Sequence, residues 1–342
     1  MMLQNTERNR LADLLKGIAI LLMIQVHIME LFASQDIFHS TIGKVSLFLG
    51  AAPAAPIFMI VMGYFAAQSK KDFDTQLLRG IKLFLGGILL NVGLNLSLLI
   101  KIYFYGENLD PYRYIFGADI LPLAGLSLIA LAGIKKFTAD KSIWQVIILV
   151  FVILIAEVVN KIDPLIPDTW KYFLSFLFGI SEWAYFPFFI WFVYPLSGFL
   201  LYNLLLRQVF TKYFKKRNLL IGFILVAIFT ALTINWSTSL SANLQAYYHH
   251  GFLFYVWCII FLTGWTIAIH FILSFLQNNY VIRYAEWLGR NVTAVYVFQW
   301  IIIGNIATYI YQSKGIWEIV LWFPFVLLIT SILTLLWRKY QT

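Results

Sequence analysis

The chain is poor in charge. Asp, Glu, Lys and Arg make up 12% of its 342 residues, about half of the roughly 25% usual in soluble globular domains. With 61% hydrophobic residues beside it, so little charge excludes a water-soluble surface and calls for lipid as the solvent. Cysteine is almost missing. Cys258 alone, in an apolar run, excludes a disulfide framework or a cysteine-based metal centre within one chain. Acidic residues number 16 against 25 basic ones, a formal charge of +9. No basic stripe interleaves with exposed aromatics, so nucleic acid is not an expected partner, and the excess reads as membrane topology. The sequence also lacks HExxH, Walker A, GxSxG and GxGxxG patterns in the right context, any internal repeat and any low-complexity tract. No small-residue cleavage site follows the first apolar run, which is therefore read as a span and not a signal peptide.

What the chain does have is ten apolar runs of about 20 residues, the length that crosses a hydrocarbon core. They lie at 12–33, 45–68, 79–100, 115–134, 143–160, 184–206, 218–236, 252–275, 291–310 and 317–337. The expected fold is all-α, a polytopic transmembrane helical bundle forming one domain over residues 1–342, with both termini on one side. Basic residues near span ends are retained in the cytoplasm. With the N-terminus inside, only Lys44, Lys101, Arg113, Lys161, Lys171 and Lys314 of the 25 basic residues fall outside. Both termini are therefore expected in the cytoplasm, and the expected setting is a lipid bilayer, the bacterial inner (plasma) membrane. Region 170–206 exceeds one span, and ISEWAYFPFF, with Glu182 and Pro187, fits a short interfacial or re-entrant helix before the sixth span.

Ionisable groups inside a span cost about 2.5–3.5 kcal/mol each, so each asks for a reason. In RLADLLKGIAILLMIQVHIME, Lys16 and His27 are eleven residues apart, which sets them on one helix face about 16 Å apart. Asp13 stands three residues before Lys16 and Glu30 three after His27, within side-chain reach. The stripe reads acid, base, imidazole, acid. Ordinary explanations exist for each member: a helix-end pair with a snorkelling lysine, an interfacial glutamate, a core histidine satisfied by a neighbouring helix. Their alignment favours function.

His39 lies in the short outer loop SQDIFHSTIGK, just before GAAPAAPIFMIVMGYF. The small residues and prolines of that span suit either close helix packing or a broken helix lining a cavity. Asn91 and Asn95, four apart, share a face, and with Gln299 and Asn305 fit interhelical hydrogen bonding or substrate contact. Asp119 is costlier and needs a partner, as does Glu157. His249 and His250, in the loop after the seventh span, are too few for a metal site, and no metal is expected.

These stretches together carry a resemblance. RNRLADLLKGIAILLMIQVH resembles the first helix of the acyltransferase family 3 and heparan-alpha-glucosaminide N-acetyltransferase-like membrane proteins, in which an arginine and a histidine are separated by ten residues. Lys16 stands at the arginine place and His27 at the histidine place. His39 matches the first-outer-loop histidine of the heparan branch. FGADILPLAGLSLI, FPFFIWFVYPLSGFLL and LGRNVTAVYVFQWIIIGN resemble later segments in the same order. Two departures stand out. Lys16 keeps the charge but not the bidentate fork of arginine, and Gln299 stands where relatives often carry a histidine and cannot serve as a base.

The resemblance implies transfer of an acyl group, acetyl from acetyl-CoA, to a hydroxyl or amine of a saccharide or glycan on the outer side. Neutral imidazole, with an ordinary pKa near 6.5, suits removal of the acceptor proton. Arg8, Arg10 and Lys16, with Asp13 beside them, are expected to receive the CoA phosphates while the pantetheine arm runs toward His27. His27 or His39 then acts as base or acyl carrier, with Glu30 holding the ring tautomer. Pairing of two copies through small-residue spans stays open. A transporter or flippase for a lipid-linked saccharide would use the same polar residues as a pathway, although no inverted repeat supports it. A scaffold within a membrane complex would need neither histidine.

Overall fold

The computed structural model describes residues 9–138, 141–159, 166–206, 215–276 and 279–341. Among them the chain is built of helices, without a strand. The first helices are α1 (Arg10–Phe32), α2 (Gln35–Phe38), α3 (Thr41–Ala51), α4 (Ala55–Gln68), α5 (Phe73–Leu94) and α6 (Leu96–Tyr105). Next come α7 (Pro111–Ile115), α8 (Ile120–Thr138), α9 (Ser142–Val159), α10 (Asp168–Leu174), α11 (Phe188–Trp191) and α12 (Val193–Leu206). The last are α13 (Lys216–Ala242), α14 (Leu244–Tyr248), α15 (Phe252–Phe275), α16 (Tyr280–Arg290), α17 (Val292–Ile310) and α18 (Ile316–Gln341).

Nine stretches among the described residues are long and apolar enough to cross a membrane: α1, α3 with α4, α5, α8, α11 with α12, α13, α15, α17 and α18. They match nine of the ten expected spans, and the protein is an all-α polytopic membrane bundle. The tenth, expected at 143–160, is α9, an apolar helix shorter than the others that ends beside 160–165, outside the described residues. The third span starts earlier than 79, at Phe73, and its helix breaks at Asn95, whose backbone sits at φ −100° and ψ 13°. Before α11 the chain forms the seven-residue α10 and an irregular segment; there Ala118 N–H donates to Trp183 O and Phe186 N–H to Ala118 O. Backbone outside helices is thereby satisfied by other backbone, as membrane depth requires.

The helices gather into two compact units. One comprises Met1–Phe58, Leu219–Thr238 and Ile260–Thr342, the other Met59–Asn218 and Ser239–Ile259. In the first unit α1 is central, with Leu14, Ile20, Ile24, Ile28 and Phe32 fully buried. Its N-terminus is capped by Asn9, whose side chain accepts from Ala12 N–H, satisfying one of the orphan donors of a first turn. At its other end the carbonyls of Leu31 and Phe32 accept from Gln312 and Lys314 N–H. Gln312 adopts a left-handed φ of 48° in that turn. A Cβ added at Gly17 would lie 1.8 Å from Ala285 O, and one at Gly289 1.8 Å from Asp13 O. Two glycines therefore let α1 and α16 meet backbone to backbone.

In the second unit Gly63 and Gly198 do the same for α4 and α12; added Cβ atoms would lie 1.8 Å from Pro195 O and 1.9 Å from Ile60 O. Lys135 Nζ donates to the carbonyls of Ala67 and Ser69 at 2.9 and 2.6 Å, closing the C-terminal end of α4 with a cation, where the helix dipole favours one.

Candidate active site

The acidic and basic stripe of α1 is present, and each end is tied down differently. Lys16 Nζ lies 2.9 Å from Asp13 Oδ1, the contact expected of residues three apart. Asp13 is buried, so the pair is more than a surface decoration. Arg10 pairs with Glu286 of α16 at 2.8 Å while keeping its side chain 45% exposed. Glu286 is not legible in the sequence as a site residue, because its partner is 276 residues away. Arg8 lies outside the described residues.

One turn short of the far end of α1, His27 meets α17. Gln299 Oε1 lies 3.1 Å from its Nδ1, and the Trp300 ring stacks on the imidazole with centroids 3.9 Å apart and an interplanar angle of 29°. A carboxamide oxygen only accepts, so Nδ1 carries the proton and donates, leaving the lone pair on Nε2. Gln299 thus holds Nδ1, alongside the tautomer-setting role expected of Glu30. A contact across 272 residues leaves no local spacing signal, whereas the three-residue spacing of Glu30 does. Gln299 itself is fully buried. Trp300 belongs to the site too, and in the sequence it offers no sign beyond an aromatic in a span.

His39 is exposed. It caps the four-residue α2, its ring edge-on to Phe38 at 5.1 Å. The interruption suggested by GAAPAAPIF is there, between α3 and α4, with Ala51, Ala52, Ala54 and Ala55 buried.

The other polar residues are accounted for by backbone. Asn91 Nδ2 donates to Ile115 O and Gly117 O, and Asn95 Nδ2 to Asn91 O and Tyr114 O, so the two amides hold the loop that leads to α8. Asp119 accepts from Ile120 N–H at 2.7 Å, at the start of α8. Asn305 Nδ2 donates to Ile301 O of its own helix. Glu157 accepts from Phe252 N–H, a carboxylate at the N-terminus of α15, where the helix dipole favours it. His249 Nε2–H donates to Ala184 O at 2.9 Å, and burial lowers its pKa. His250 Nε2 accepts from Tyr194 O–H at 3.0 Å; burial holds its pKa down at about 4. Both are satisfied structural imidazoles.

A family model described as an acyltransferase domain matches residues 10–337, nearly the whole chain and including the whole α1 stripe. No curated protein and no solved structure matches it. With its nine membrane-length helices among the described residues, the chain belongs to the acyltransferase 3 family and is an integral, multi-pass membrane acyltransferase.

Proposed function

We propose that the protein takes an acetyl group from acetyl-CoA on the cytoplasmic side and passes it to a hydroxyl or amine of an extracytoplasmic saccharide, with His27 as general base. The observation that carries this reading is the Gln299–His27–Trp300 contact, which fixes one tautomer and aims one basic nitrogen. His27 Nε2 accepts the acceptor's proton as the acceptor oxygen or nitrogen adds to the thioester carbon. The C–S bond then breaks, and the imidazolium returns the proton to the departing thiolate.

The cationic end serves the donor. Arg10 and Lys16 meet the CoA phosphates, which compete with Glu286 and Asp13 for them, and the length of α1 between Lys16 and His27, about 16 Å, matches an extended pantetheine arm. The bilayer fixes which face sees each substrate. His39, exposed at the other end of α1, stands on the acceptor side.

Calorimetry of acetyl-CoA binding in detergent tests this. Lys16→Ala is expected to weaken binding about tenfold, the loss of one charge-assisted contact. His27→Ala and His39→Ala are expected to bind like the wild type. An absence of binding to wild-type protein would sink the donor assignment.

A further inference from the structure

Two hydrogen-bond donors beside His27 have nothing to donate to. Gln299 Nε2 and Trp300 Nε1 are both sealed from solvent and lack an acceptor among the described residues. Eight such buried polar atoms occur among the described residues, each a departure from the usual pairing of buried polar groups. Here two occur on consecutive residues of α17, and both residues touch the same imidazole. Gln299 spends its oxygen on His27 Nδ1–H, so its amide nitrogen is the half left over. Trp300 spends its ring face on the imidazole, so its N–H is the half left over. Neither belongs to the packing of a generic core, because each side chain's other half is already committed to orienting the candidate base.

We infer that Gln299 Nε2 and Trp300 Nε1 are catalytic donors to the thioester carbonyl oxygen, an oxyanion site built on the residues that position His27. This rests on the acyl-transfer reading and deepens it. When the acceptor adds to the carbonyl carbon, the C=O π electrons move to oxygen, and the negative charge develops beside two N–H groups whose side chains are already fixed by their contacts with His27. Collapse of the intermediate re-forms C=O and expels the thiolate, which takes the proton held on His27. The site also explains why a residue that cannot be a base stands at position 299. A carboxamide supplies an acceptor for Nδ1–H and a donor for the oxyanion at once, and histidine cannot offer both to neighbours on one side.

The test is release of the CoA thiol from acetyl-CoA by full-length protein in detergent, with water or glucosamine as acceptor. Trp300→Phe keeps a ring to stack on His27 and deletes the N–H. Gln299→Glu keeps an acceptor for Nδ1–H and deletes the donor. Each is expected to lower kcat by about 10²–10³-fold, the size seen on removing one oxyanion donor, while KM for acetyl-CoA moves less than twofold and the unfolding temperature stays near that of the wild type. A packing role would move the unfolding temperature and KM with kcat. If the wild type turns over, His27→Ala does not, and Trp300→Phe and Gln299→Glu keep kcat within about threefold, the oxyanion assignment is overturned and the acyl-transfer reading stands. If wild type and His27→Ala release thiol at the same rate, the acyl-transfer reading itself falls.

Discussion

His27 and His250 are both packed among aromatic side chains, and their partners set them to different work. His27 is held at Nδ1 by Gln299 and on its face by Trp300, whereas His250 is closed in by Tyr194, Trp191 and Phe254 and is structural. Its charged form is excluded by burial, with a folded pKa of about 4 against an ordinary 6.5. Because the unfolded chain binds a proton that the folded chain refuses, stability contributed here is complete above pH 6.5. It declines as pH falls toward 4 and changes no further below that. The total is about 3 kcal/mol. Thermal unfolding in detergent between pH 7 and 5 is expected to slope downward with acid in the wild type and to flatten in His250→Asn. At this scale the sequence is informative only where spacing is local. Asp13 and Lys16 pair as their three-residue separation implies. The partner of His27 comes from the penultimate span, and no spacing rule reaches that far.

Helices are the next scale up. Hydropathy places nine spans because length and apolar content alone decide crossing. It does not reveal the boundary at Asn95, and it leaves α16 inside a loop. That helix is short and strongly amphipathic, with Ala285, Glu286, Leu288 and Gly289 buried. Its glycine is the part with a clear physical reason, since Gly289 admits the backbone of α1 at Asp13. Gly289→Ala forces a Cβ into a carbonyl oxygen that cannot give way as a side chain would. It is expected to cost about 1–3 kcal/mol or more, read as a lower unfolding temperature, and to disturb the Asp13–Lys16 pair on the same turn. Gly86→Ala on α5, where nothing lies within 4 Å of the added carbon, serves as the neutral comparison. Equal unfolding temperatures in the two variants would contradict the close crossing.

Across the whole molecule, the division of labour follows from the membrane. Basic residues cluster in the segments expected inside, and the proposed CoA-binding end of α1 lies among them, while His39 and the 311–315 turn gather at its opposite end. Composition makes the membrane class legible at once, and the order of several weak stretches points to the family that the match over residues 10–337 establishes. The proposed donor and acceptor rest on the resemblance, and the proposed base on the resemblance together with the contacts of His27. Inverted membrane vesicles, which present the cytoplasmic face outward, test donor and base together: acetyl-CoA is added outside and thiol release is followed for wild type and His27→Ala. With His27 as the base, the wild type is expected to release thiol and His27→Ala to do so at least about 10²-fold more slowly, the contribution of a positioned general base. Equal rates in the two would contradict it.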